Sequence, residues 1–519
     1  MFMGERVKKS LKNAEVNLVF YFLSLFLAFF SRKIFLDCLG ADFIGLTGTL
    51  TNILGYLNLA ELGISGSIGY LLYKPLQQKN HQEITEILSV FGYFYNWIGS
   101  IILIAGVAIS LFFPLIFDNV TLGLGIVYFS FYSILGSSLI GYFINYRQIL
   151  LSADQKNYLV AVYFQSAGLV KTVIQLFLAY TYKNLYLWVS IEFVFGILGC
   201  IILNWKINKE YPWLKTDKAQ GKLLWKKYPS ILTYTRQIFI HKIKDFLLYK
   251  SDELFIFLFV SLKMVAFYGN YTIITTKIGQ LFSSVLGSME ASIGNLIAEG
   301  NKQNIMKVFW EVNTIRHFVA GFLCFSIYHF IEPFICLWLG AEYLLSRNIL
   351  ILLVISIYIG TSRGSVDMFN ATQGLFADTW SAWTELFLSI VMTLIGGYMW
   401  GIAGILLSKI IITSLIGLLW KPYYLFNSGF HFSYATYWKG AIRNFGVSIA
   451  SFAIAHVLLS YVNIDTMAGF PQWILFCTIG IVFYLSVNLI LTYLFCKGTK
   501  DFLKRIPVFH LRNRMHWPF

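Results

Sequence analysis

The chain has little charge for its length. Only 13% of its 519 residues are Asp, Glu, Lys or Arg. That excludes an ordinary soluble globular protein, which has about a quarter of its residues charged. Its cysteines are few and scattered: Cys38, Cys200, Cys324, Cys336, Cys477 and Cys496, none in a CxxC pair. This spacing excludes a zinc ribbon and a disulfide framework. Strand-like alternation of apolar and polar residues is lacking, which excludes an outer-membrane barrel. No polar stretch is long enough for a soluble catalytic domain, and no acidic metal pair or catalytic histidine at a membrane face is evident. A membrane-bound enzyme is therefore not expected. The basic start "MFMGERVKKSLKN" is followed by an apolar run too long for a signal core and without a cleavage site, so the reading makes it the first membrane helix.

What fills the chain is apolar sequence, 57% hydrophobic with mean hydropathy +0.67. Runs near 20 residues recur from end to end, each long enough to cross a bilayer core of about 30 Å. The expected fold is an all-α polytopic membrane protein with about 14 transmembrane helices. They fall at roughly 14–37, 42–73, 84–117, 122–151, 157–182, 185–206, 231–261, 265–297, 305–339, 347–375, 379–400, 401–427, 437–462 and 470–496. An even number of spans puts both termini on one side. With the amino terminus inside, about 26 Lys and Arg face inward and about 5 outward, as the positive-inside rule requires. The net charge of +15 is then a topology signal and an attraction to anionic lipid; no nucleic acid is implied. "KLLWKKYP" at 222–229 reads as a short interfacial helix.

An internal repeat is visible. "SIGYLL" from Ser67 returns as "SIGNLI" from Ser292, and "GADFIGLTGTLTNI" (40–53) lies over "SLKMVAFYGNYTII" (261–274) at an offset of 221 residues. The separation implies two pseudo-symmetric six-helix lobes of the same orientation, plus two C-terminal helices. The expected organisation is an N-terminal lobe at 1–206, a basic cytoplasmic linker at 207–230, a C-terminal lobe at 231–428, and at 429–519 the last two helices with a basic tail. Parallel repeats of this kind build transporters whose site lies between the halves.

Charges stand deep in the apolar runs: Arg32, Glu61, Lys171, Glu192, Lys242, Lys244, Asp245, Lys277, Glu290, Arg316, Arg363, Asp367, Glu385 and Lys409. Each costs about 2.5–3.5 kcal/mol at a helix centre unless it faces water or a partner. Thr47, Thr51, Asn58, Glu61, Ser65 and Gly69 follow helical spacing and form one polar stripe. Lys277, Gln280, Ser284, Ser288, Ala291 and Asn295 form another. Arg363, Asp367 and Asn370 share a face at i, i+4 and i+7. Lys277 has no carboxylate three or four residues away in sequence. The candidate binding residues are Arg32, Lys277, Arg363, Asp367, Glu61, Lys244, Asn58 and Asn370. Two readings of Arg363 and Asp367 stay open: an ion pair that fixes helix packing, or a cation held ready for an anionic ligand. Glu61 is open in the same way, as a bridge between helices or a ligand group.

The stretch "SRKIFLDCLGADFIGLTGTLTNILGYLNLAELGISGSIGYLLYKPL" (31–76) resembles the opening of bacterial polysaccharide flippases, and "DELFIFLFVSLKMVAFYGNYTIITTKIGQLF" (252–282) resembles their seventh and eighth helices. Related multidrug exporters and lipid II flippases share the fold. In the lipid II flippases an arginine precedes a Leu/Phe-Gly-Ala turn; Arg32 ahead of "LGA" (39–41) matches it. Glu61 in "LAELG" matches an acidic residue of their second helix with one residue inserted. Lys277 in "NYTIITTK" stands where they carry an arginine, keeping the charge but not the bidentate fork.

The resemblance implies a flippase, not an enzyme. It would move undecaprenyl-pyrophosphate-linked repeat units of O-antigen, capsule or exopolysaccharide from the inner to the outer leaflet of the bacterial cytoplasmic membrane. Arg32, Lys277 and Arg363 would meet the pyrophosphate in a central cationic cavity, and access would alternate. No cofactor is implied beyond H⁺ or Na⁺ as a coupling ion on Glu61 or Asp367. The implied partners are the lipid-linked oligosaccharide, membrane lipids, and a polysaccharide polymerase with its assembly proteins. Two alternatives of the same fold stay open: a cation-coupled exporter of drugs or small molecules, and a lipid II flippase.

Overall fold

The computed structural model describes residues 2–503 apart from 62–63, 119–120, 155, 230, 232–234, 236–250, 288, 290–292, 294–295, 298–299, 374 and 376–377. The expected all-α polytopic architecture is what forms: among the described residues the chain is helical with no strand, and ten helical segments are long and apolar enough to span a membrane. Contacts group residues 1–269 and 270–519 into two compact units.

The first unit begins with α1 (Phe2–Leu39) and α2 (Ala41–Leu57), then α3 (Ile64–Gln78), α4 (His81–Ser110) and α5 (Leu124–Ile144). A 3₁₀ turn, Asn145–Arg147, carries α5 on to Ala153. α6 (Ser166–Tyr182) and α7 (Leu185–Glu210) form a hairpin, and α8 (Lys218–Leu224) follows at the position of the expected interfacial helix. α9 (Asp252–Phe259) leads into α10 (Leu262–Gly287), which runs across the division between the units. The second unit continues with α11 (Lys302–Trp338), α12 (Arg347–Ser362), α13 (Gly364–Thr372), α14 (Thr379–Thr413), α15 (Tyr434–Ser460) and α16 (Phe470–Phe495).

The 221-residue offset reappears in the backbone. α2 starts at Ala41 and α10 at Leu262; α4 starts at His81 and α11 at Lys302. Ahead of α4, Lys79 has φ 54° and the Asn80 side chain accepts the N–H of Glu83. Ahead of α11, Gly300 has φ 73° and the Asn301 side chain accepts the N–H of Asn304. The same left-handed residue and the same Asn cap satisfy the same orphan donors of the first turn.

One expectation about helices needs correction. The span 42–73 is not one helix: α2 ends at Leu57, Asn58–Glu61 is a 3₁₀ turn, and α3 starts at Ile64. The polar stripe from Thr47 to Gly69 is therefore interrupted at its centre. The expected span 347–375 forms as one apolar segment, Arg347–Thr372, in which Arg363 joins α12 to α13 with helical backbone angles, φ −65° and ψ −21°. The expected pair 379–400 and 401–427 is present inside one continuous helical assignment. Gly401 has φ 56° and ψ −132°, a conformation open only to glycine. Gly396 and Gly404 lie in backbone contact and Ser408 Oγ donates to the carbonyl of Met392 at 2.7 Å. Eight residues of straight helix would separate those glycines by about 12 Å, so the chain reverses at Gly401. At the start of α10, Gly45 of α2 packs directly on the backbone of Leu262, where a Cβ would collide.

Candidate functional site

Among the described residues the deep charges form local groups within each unit. In the first unit the site is Glu61, at the 3₁₀ break between α2 and α3. Its Oε1 accepts from Ser65 Oγ at 2.7 Å and from Tyr95 OH, and its Oε2 accepts from Tyr142 OH at 2.7 Å. Tyr142 OH also reaches Asn58 Oδ1 at 3.1 Å. Tyr95 comes from α4 and Tyr142 from α5, both buried. A carboxylate here is held by three hydroxyls from three helices, and among the described residues no cation is bonded to it. Three neutral hydroxyls thus surround one carboxylate. No group of three or more His, Cys, Asp or Glu that would hold a metal ion is present among the described residues.

Arg32 belongs to the same unit. Its Nη2 donates to the carbonyl of Ala266 at 2.9 Å, tying α1 to α10. Nearby, Asn52 donates to Glu253 Oε2 at 2.6 Å and Tyr268 OH donates to Asp252 Oδ2 at 3.0 Å. Deep Lys171 and Glu192 neutralise each other at 2.5 Å, with Gln175 on the second carboxylate oxygen at 3.1 Å.

In the second unit the site is an ionic network around Arg363. Its Nε lies 3.2 Å from Asp367 Oδ2, as the i, i+4 spacing predicts. Its Nη1 lies 3.4 Å from Glu385 Oε1, and Lys421 Nζ reaches Asp367 Oδ1 at 2.9 Å. Arg363 is 6% exposed and Glu385 fully buried. Two cations and two carboxylates thus join in one network, with Arg363 and Glu385 in the core. Gly417 makes room for the Arg363 side chain, and Gly364 for the guanidinium of Arg316. Isolated buried charges are expensive, whereas a complete set is tolerated. Asp367 is bonded to both cations.

The remaining candidates divide. Lys277 is partly exposed on α10. Asn370 is partly exposed on α13, and its Oδ1 finds no hydrogen-bond partner among the described residues. Lys244, with Lys242, Asp245 and Glu290, lies outside the described residues. Ser65 shares the sequence-read stripe with Glu61, but Tyr95 and Tyr142 as its partners, and Glu385 and Lys421 as partners of Arg363 and Asp367, were missed in the sequence because they come from other helices. Only residue type, a tyrosine or a lone charge in an apolar run, hinted at them.

The fold, with ten segments long and apolar enough to cross a membrane, is that of a multi-pass membrane protein. In particular, the chain is similar to the lipid II flippase MurJ in an inward closed conformation: TM-score 0.65, 15% identity, covering 92% of this chain and 98% of that one. It is also similar to an inward-facing multidrug resistance MATE family transporter of the MOP superfamily, with TM-score 0.56 and 12% identity over 79% of this chain and 97% of that one. At these identities the likeness is one of fold. No protein-family model and no curated protein matches the chain.

Proposed function

We propose that this protein is a flippase for undecaprenyl-pyrophosphate-linked oligosaccharide repeat units, moving them outward across a bacterial cytoplasmic membrane by alternating access. The observation that carries the reading is the fold: nearly the whole chain follows that of a lipid II flippase. A pyrophosphate-bearing substrate is the kind of cargo that cations standing deep in the apolar runs, such as Arg32 and Lys277, would compensate. In this reading Arg32 and Lys277 meet the pyrophosphate, Asn58 and Asn370 face the glycan, and Arg363 with Asp367 braces the second unit. Glu61 takes the coupling ion, H⁺ or Na⁺. A polysaccharide polymerase and its assembly proteins receive the product.

The second reading, a cation-coupled exporter of small molecules, draws on the likeness to a multidrug transporter and on the hydroxyl cage of Glu61. Depleting the protein in its own cells separates the two. A flippase leaves lipid-linked repeat units accumulating in the inner leaflet while surface glycan falls. An exporter leaves both unchanged and raises sensitivity to organic cations.

A further inference from the structure

At one end of the first unit the cations sort into two kinds. Lys156 is neutralised by Asp154 at 2.7 Å and Glu210 at 3.1 Å, Lys206 by Glu210 at 3.2 Å, and Lys227 by Glu86 at 2.6 Å. Arg147 and Lys218 bond only to neutral oxygens among the described residues. Arg147 donates Nη1 to Asn208 Oδ1 at 2.9 Å and Nη2 to Asn204 Oδ1 at 2.5 Å. Lys218 donates Nζ to the carbonyl of Phe143 at 2.9 Å and lies over the Tyr146 ring. Phe143 stands four residues before Arg147, near the end of α5 and in the 3₁₀ turn that follows it, and the Arg147 charge is felt at Lys218.

Both are fixed in place. Lys218 opens α8, and that segment is strapped to its neighbours: the Asp217 N–H donates to Ser89 Oγ at 3.0 Å, Thr216 pairs with Tyr146 OH at 2.7 Å, and Gly221 sits on the backbone of Ser89. Burial, and then the charge of Arg147, hold the Lys218 ammonium below its ordinary pKa. Two positioned cations repel here, and among the described residues neither is bonded to a carboxylate. The height in the membrane is marked by Lys209 over Trp205 and Lys206 over Tyr163, the aromatic and lysine belt of a headgroup region.

We infer that Arg147 and Lys218 form a binding site for the phosphate of a membrane lipid. Arg147 has used two of its five N–H donors and offers the planar fork that suits phosphate oxygens, and Lys218 supplies a point charge beside it. The headgroup level makes a lipid, and not free phosphate, the source. The inference does not depend on what the protein transports.

The test is native mass spectrometry of the full chain in detergent, titrated with phosphatidic acid, phosphatidylcholine or inorganic phosphate. The wild type is expected to retain phosphatidic acid about tenfold better than phosphatidylcholine, and Arg147→Gln with Lys218→Gln to lose that preference. Lys222→Gln with Lys226→Gln, two exposed lysines of the same segment, should keep it. Lys218→Arg should also keep it, and it remains a valid test should the double variant fail to fold. Equal retention of phosphatidic acid by wild type and the Gln pair would overturn the site. Displacement of phosphatidic acid by equimolar inorganic phosphate would overturn the lipid as its source.

Discussion

Glu385, fully buried in α14, lies 3.4 Å from Nη1 of Arg363 at the turn between α12 and α13. That contact fixes the polarity of the whole network. With Asp367 bonded to both Arg363 and Lys421, each position has one acceptable sign. Reversing the local pair, Arg363→Asp with Asp367→Arg, would set a carboxylate against Glu385 and a guanidinium against Lys421. The double reversal is expected to lower protein level as much as either single change. Glu385→Gln removes one buried partner and should destabilise by about 3 kcal/mol, read as a fall in the unfolding midpoint of the detergent-purified protein. Recovery of wild-type stability by the double reversal would show the pair to be independent of Glu385 and Lys421.

The cage of Glu61 gives a separable prediction. Tyr142→Phe deletes one hydroxyl donor to a carboxylate and should cost about 1.5 kcal/mol of stability. Glu61→Gln preserves size and one acceptor oxygen, so the protein should accumulate normally. Its transport should stop responding to an imposed H⁺ or Na⁺ gradient. An unchanged gradient response in Glu61→Gln would remove Glu61 from the coupling role.

Topology is tested in a cysteine-free background. Single cysteines at Lys222 and Asn301, both exposed, should react only with reagents supplied from the cytoplasm. Cysteines at Lys183 and Asp465, also exposed, should react from outside. External labelling at Lys222 would invert the orientation drawn from the Lys and Arg asymmetry.

Much of this architecture could be read from residues, because membrane spans and repeats are written locally. Apolar run length located ten spans among the described residues, the expected span 231–261 lying largely outside them, and an offset read from two short matches recurs in the starts of α2, α4, α10 and α11. The pair Arg363 and Asp367 was legible because helical spacing alone brings i and i+4 together. Glu385 and Lys421 were not, since they stand 22 residues from Arg363 and 54 from Asp367 and reach them only through tertiary packing. Tyr95 and Tyr142 close on Glu61 across 34 and 81 residues. The break at Asn58–Glu61 carries no proline and was read as continuous helix. The hydroxyls that converge on it offer its polar groups partners outside a helix, which local propensity does not register.

The central claim, movement of a pyrophosphate-linked glycan, is tested most directly by reconstitution. Purified wild type and the variants Arg32→Gln and Lys277→Ala are placed in proteoliposomes carrying a short-chain prenyl-pyrophosphate oligosaccharide in one leaflet. Its appearance in the other leaflet is followed by accessibility to a membrane-impermeant glycosidase. The account predicts transfer well above protein-free vesicles with wild type, and a loss of about tenfold or more in each variant, the cost of removing one charge-assisted contact. Wild-type transfer no faster than in protein-free vesicles, or undiminished transfer in both variants, would contradict it.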